Sequence, residues 1–195
     1  MRGLIAQKLG MTRVPNPETG KMTVVTVLHA PRNTVVGLRT TERDGYEAVV
    51  LGAFERGGQW KNIGKRYQMI REVALQQPTD TVVGAQFGVE TLEGRETVKL
   101  SGVTKGRGFQ GVVRRHNFAT GRETHGSGHF RQPGSVGMCA KPGRIMRGKK
   151  LPGQMGAGQM TLRDVKIFAI DTAQDLIIVE GSVPGANKSL VFLRG

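Results

Sequence analysis

The sequence predicts a mostly β protein, a small β-barrel that carries a long, basic, irregular extension. Three observations predict it. Short β-branched runs bounded by turn residues recur along the chain, helix-like periodicity is scarce, and the excess positive charge sits in one glycine-rich stretch.

The chain has 195 residues, enough for one ordinary domain with a sizeable insertion and short for two. Gly3 to Val14 and Met22 to Leu28 are strand-like and are separated by Pro15-Asn16-Pro17-Glu18-Thr19-Gly20, a strong turn composition, so they predict a hairpin. Ala48-Val49-Val50-Leu51 reads as a further buried strand. Trp60 to Leu75 is the one stretch with amphipathic spacing, interrupted by Gly64, and is expected as the only sizeable helix. Near the C-terminus, Val165 to Ile170 and Leu176 to Val179 flank the polar connection Asp171-Thr172-Ala173-Gln174-Asp175, which predicts an antiparallel pair. Short strands at regular spacing suggest closure into a small barrel.

Charge divides the chain differently. Lys and Arg number 29 against 15 Asp and Glu, a net charge of +14. Residues 102–156 hold 11 of those cations and one acid, Glu123, whereas the other 140 residues carry 18 cations and 14 acids. The same 55 residues contain 13 glycines and few aliphatic side chains. Such a segment cannot bury enough apolar surface to offset the entropy of ordering its backbone, so alone it is expected to be extended or disordered. Phosphates would neutralise it, and glycine would let its backbone approach a sugar-phosphate chain closely. The profile is that of a protein facing a polyanion, with nucleic acid ahead of an anionic membrane surface.

Composition excludes several classes. There is no run of about 18 apolar residues, and the opening Met1-Arg2-Gly3-Leu4-Ile5-Ala6-Gln7-Lys8 turns polar too early for a signal peptide, so neither a membrane partner nor a secretion route is expected. A lone cysteine, Cys139, excludes an internal disulfide and a thiol-rich zinc site, as in a reduced, cytoplasmic protein.

Two phosphate-binding patterns fail on context. Gly106-Arg107-Gly108-Phe109-Gln110-Gly111 fits G-x-G-x-x-G but lacks a preceding buried strand, a following helix and a later ribose-binding acid. Gly143 to Lys150 approaches the P-loop pattern, yet Lys150 stands where a hydroxyl must hold magnesium. His116, His125 and His129 lie near Cys139 at spacings that match no zinc pattern, with Glu123 the one nearby carboxylate, so they read better as RNA contacts than as metal ligands or acid-base groups. Phe109, Phe118 and Phe130 are interleaved with the cations and would either stack on unpaired bases or anchor the extension to its own core. No cofactor, metal or small-molecule substrate is expected, and no side chain is assigned a catalytic role.

Leu100 to His116, His125 to Gly137, Lys141 to Arg144, Arg147 to Gly156, the opening Gly3 to Arg13 and Glu180 to Ala186 together resemble the bacterial form of the universal third protein of the large ribosomal subunit. The resemblance implies a translation-factor-like β-barrel made from both chain ends, a variable middle insertion, and a loop reaching through ribosomal RNA toward the peptidyl transferase centre. It implies a structural, non-enzymatic protein, located in the cytoplasm within the ribosome, that nucleates early assembly, with large-subunit ribosomal RNA and neighbouring ribosomal proteins as partners. A glutamine methylated in some bacterial relatives is replaced here by Ala140, so that modification should be absent.

The expected organisation is a barrel from residues 1–101 and 157–195, with a variable insertion at about 57–92, and an RNA-threading extension at 102–156. The candidate RNA-binding residues are Lys8, Arg13, Lys105, Arg107, Arg114, Arg115, His116, Arg122, His125, His129, Arg131, Lys141, Arg144, Arg147, Lys149 and Lys150. Two other readings share the charge pattern: an RNA-processing enzyme using His116, His125 or His129, and a nucleoid or assembly factor acting away from the mature ribosome.

Overall fold

Four consecutive buried residues near the N-terminus, Gly3-Leu4-Ile5-Ala6, cannot belong to an ordinary one-sided strand, because alternate side chains point to opposite faces. The structure, a computed structural model, explains them by giving that strand two cores. It describes residues 3–16, 20–57, 62–74 and 81–195.

In chain order the strands are β1 (Gly3–Pro15), β2 (Met22–His29), β3 (Asn33–Arg39), β4 (Ala48–Glu55), β5 (Tyr67–Ala74), β6 (Gln86–Phe87), β7 (Thr97–Val103), β8 (Phe109–Gln110), β9 (Gly153–Gln154), β10 (Gln159–Asp171), β11 (Leu176–Glu180) and β12 (Leu190–Arg194). The chain divides into two compact units, Met1–Thr104 with Gln159–Gly195, and Lys105–Gly158.

In the first unit, six strands close in the order β1-β12-β7-β10-β11-β2. The two ends of the sequence meet there, Gly3 opposite Arg194 and Leu4 opposite Leu193. Leu4, Ala6, Leu28, Leu100, Ile177 and Leu193 fill the interior and are fully buried. Each such Leu or Ile contributes roughly 1.5–3 kcal/mol relative to exposure. On the other side of β1, Ile5 joins Phe192, Val35, Val49, Leu51 and Val73 in a second core under a four-stranded sheet ordered β5-β4-β3-β6.

Asn33 joins the two. The β1–β2 ladder begins at Gln7 opposite His29, which leaves the Ile5 peptide beyond its end. The buried Asn33 side chain completes it, accepting from the Ile5 N–H (2.9 Å) and donating to the Ile5 and Pro31 carbonyls (3.1 and 2.7 Å).

Both expected hairpins form: β1 pairs antiparallel with β2, and β10 with β11. The Asn16 N–H donates to the Lys21 carbonyl at the first turn, while residues 17–19 of that turn lie outside the described residues. The mostly β expectation holds.

The helix expected over Trp60 to Leu75 does not form. Asn62 caps a single helical turn (Ile63–Arg66), its side chain accepting from the Gly64 N–H, and Tyr67 then turns extended into β5, paired along β4 from Glu55↔Tyr67 to Ala48↔Ala74. Cross-strand pairing and the burial of Tyr67 and Val73 override the local spacing. Trp60 and Leu75 themselves lie outside the described residues. The second sheet is built from the segment between β2 and β7, beginning with β3 at Asn33.

That sheet carries a charge network. Glu72 accepts from the Tyr46 hydroxyl (2.9 Å) and from Arg39 (3.0 Å), and the two donors hold its carboxyl below the usual carboxylate range.

Candidate nucleic-acid interface

With 13 glycines and little to bury, residues 102–156 must be held by specific backbone contacts instead of a core. In the unit Lys105–Gly158 those contacts cluster where the two arms begin and end. β8 and β9 pair at Phe109↔Gln154 and Gln110↔Gly153. Outside them the Arg107 N–H donates to the Met155 carbonyl (2.8 Å) and the Met155 N–H to the Gly108 carbonyl (2.9 Å). Gly156, at φ +71°, lies so close to Lys105 that a Cβ would overlap the Lys105 carbonyl oxygen and stand 3.0 Å from its carbon.

A short helix, Val112–His116, follows β8 and is anchored by the buried Val112. Asn117 ends it in the left-handed region at φ 57°. Its basic residues Arg114, Arg115 and His116 fall in the last turn, where the free carbonyls favour cations. Arg115 donates to the Leu151 carbonyl (2.7 Å), and Nε2 of His116 lies 3.0 Å from the same oxygen. The guanidinium rests on Gly153, where a Cβ would stand 2.7 Å from Nη1. A side chain at 153 would require the guanidinium to move aside.

Further out, the Gly121 N–H donates to the Phe130 carbonyl (3.0 Å), and a Cβ on Gly121 would overlap the His129 carbonyl oxygen. Nδ1 of His129 lies 2.8 Å from Oε1 of Gln132. From Lys141 to Lys150 every residue is exposed.

Of the candidate residues, Lys105, Arg107, Arg114, Arg122, His125, His129, Arg131, Lys141, Arg144, Arg147, Lys149 and Lys150 are exposed in this unit, and Arg115 and His116 are half-buried against Leu151. Among the described residues, no cation of this unit has a carboxylate partner; the ion pairs found there involve Arg39, Arg43 and Arg66 of the other unit. Arg13 is exposed on β1 opposite Val24.

Lys8 is a correction. It is 6% exposed and turned into its own fold, its ammonium donating to the carbonyls of Val183 (2.8 Å) and Gly185 (3.4 Å). The register shift between Lys8 and Gly10 accompanies this inward placement, and the Lys8 backbone is also bonded to Lys188 and Ser189. A cation so placed supports the 183–189 loop and has no face for a phosphate.

The aromatic residues differ among themselves. Phe118 is half-buried with its ring 6.2 Å from that of His116, whereas Phe109 is 76% and Phe130 45% exposed, leaving two faces on which a base could stack. Contrary to the sequence expectation, a partly buried strand, β7, does precede Gly106 to Gly111, but the motif itself runs into a two-residue strand and only a five-residue helix, short of the helix a dinucleotide site needs. Among the described residues, no group of three or more His, Cys, Asp or Glu side chains is placed to hold a metal. The glycines at 121, 153 and 156 escaped sequence reasoning, because their role lies in approaches to residues 8 to 51 positions away and glycine density alone was visible.

Comparison with known proteins shows which family the chain resembles. The profile of the family described as "Ribosomal protein L3" matches residues 48–176. Curated relatives named "Large ribosomal subunit protein uL3" from Bacillus mycoides (strain KBAB4) and Bacillus cereus (strain G9842) are each 40% identical over 204 aligned positions, covering 100% of this chain and 96% of the relative. That of Bacillus cytotoxicus is 38% identical with the same coverage.

Proposed function

The chain belongs to the ribosomal protein L3 family, and from that premise we propose that it is a structural constituent of the large ribosomal subunit which binds ribosomal RNA chiefly through Lys105–Gly158. Its site is the cytoplasmic ribosome and its role is non-enzymatic. One observation carries the RNA-binding reading: 11 cations and one acid fall in residues 102–156, a segment without a core, and among the described residues none of those cations is paired with a carboxylate. Phosphates are the natural counterions for such a set, and each contact releases condensed ions.

In this reading Lys105, Arg107, Arg114, Arg122, Arg131, Lys141, Arg144, Arg147, Lys149 and Lys150 neutralise phosphates. Phe109 and Phe130 offer stacking faces, and His125 and His129 take tighter turns of the RNA. Arg115 and His116 hold the arms together through Leu151 and contribute charge from that position. The barrel is the folded base, and the extension reaches between RNA helices toward the peptidyl transferase centre. Resemblance within the family supports that destination and an early role in assembly.

Deletion of residues 125–150 is the test. A barrel that still melts cooperatively but enters large subunits poorly supports the reading; normal incorporation of the deleted chain contradicts it.

A further inference from the structure

Four cations that the sequence scatters over 124 positions, Arg71, Lys99, Arg163 and Arg194, line one groove of about 400 Å³ on the first unit, where the outer surface of the barrel meets β5. We propose that this groove is a second RNA-backbone site, borne by the barrel and separate in sequence from the extension. It deepens the reading given under Proposed function and rests on it.

The register makes the case. Lys99 on β7 stands directly opposite Arg194 on β12. Side chains directly opposite in an antiparallel pair share a face, and like charges there destabilise the sheet unless an anion lies between them. Both are exposed, and among the described residues neither they nor Arg71 and Arg163 have a carboxylate partner. Among the described residues, no acid lines the groove.

The remaining geometry suits a sugar-phosphate chain. Phe192 beneath Arg194 holds the guanidinium 5.0 Å from its ring centre, fixing one cation in place. Arg163 projects from the register shift between Leu162 and Val165, where β10 departs from its pairing with β7. Between the cations, the Ser101 and Thr161 hydroxyls lie 2.9 Å apart and offer short polar contacts to phosphate or ribose. Guanidiniums, an ammonium and hydroxyls along a shallow groove recognise a run of phosphates, not a single small anion.

The test compares full-length chains binding a large-subunit ribosomal RNA fragment across a salt series. One carries Arg71→Gln, Lys99→Gln, Arg163→Gln and Arg194→Gln; another carries Arg144→Gln, Arg147→Gln, Lys149→Gln and Lys150→Gln. With about 0.7–0.9 per contact, the groove variant should lose about 3 from the slope of log affinity against log salt, and replacing its three arginines by lysine should restore most of the slope. An unchanged groove slope beside a reduced extension slope overturns the groove proposal and leaves the extension reading standing. Unchanged slopes in both overturn both. A groove variant that keeps its RNA slope yet is lost from assembled subunits would assign the groove to an acidic protein neighbour, and that too overturns the proposal.

Discussion

Lys105 and Gly156 face each other across the start of the extension with no room for a methyl group between them. The left-handed Gly156 (φ +71°) lets the outgoing and returning strands close to within backbone contact, and the Arg107–Met155–Gly108 bonds follow from that approach. Substituting Gly156→Ala should cost about 1–2 kcal/mol for the left-handed conformation alone, with the overlap added to it. Amide exchange at Arg107 and Met155 should quicken while the barrel's melting temperature stays within a degree or two. Protected amides in the variant would show that the closure does not depend on glycine.

Asn33 carries a different kind of load. Removing its amide in Asn33→Ala leaves the buried Ile5 N–H and carbonyl without their partner, at about 1–3 kcal/mol for a buried unsatisfied group. Denaturant unfolding should report a lower midpoint with an unchanged slope. A midpoint equal to that of the parent chain would mean that water completes the Ile5 peptide.

Lys8 separates structural from RNA-facing cations. Lys8→Met should lower stability by about 1–3 kcal/mol, because the Val183 and Gly185 carbonyls lose a charged donor. It should leave the salt dependence of RNA binding unaltered. A reduced salt slope in the folded variant would return Lys8 to the RNA-binding set.

Glu72 supplies a pH dependence. Its carboxyl titrates below the ordinary 4.5 because the Tyr46 hydroxyl and Arg39 favour the ionised form. A depressed folded-state value means stabilisation present above the unfolded value and lost as pH falls through the folded one. Glu72→Gln should therefore be less stable than the parent near neutrality, and the difference should shrink below about pH 4. A difference that stays constant through the acid range would remove the network from the account.

Much of the barrel was legible because its strands are local signals: Met22–His29 and Leu176–Glu180 are β-branched runs closed by turn residues. β5 was not, since Tyr67, Ile70 and Val73 are compatible with helical as well as strand spacing, and only pairing with β4 decides between them. The charge of the extension could be read directly from composition. The inward placement of Lys8 could not, because it depends on a loop 175 residues away. Asn33 and the groove of Arg71, Lys99, Arg163 and Arg194 were invisible for the same reason: long-range strand register, not a motif, brings those side chains together.

The most direct test of the central claim is sucrose-gradient sedimentation of cell lysate at moderate and high salt, with this chain followed quantitatively. The account predicts one copy per large subunit, retained at high salt because stacking and packing within the RNA add to phosphate contacts that by themselves weaken as salt rises. Recovery only in free or precursor fractions would contradict it and favour an assembly factor.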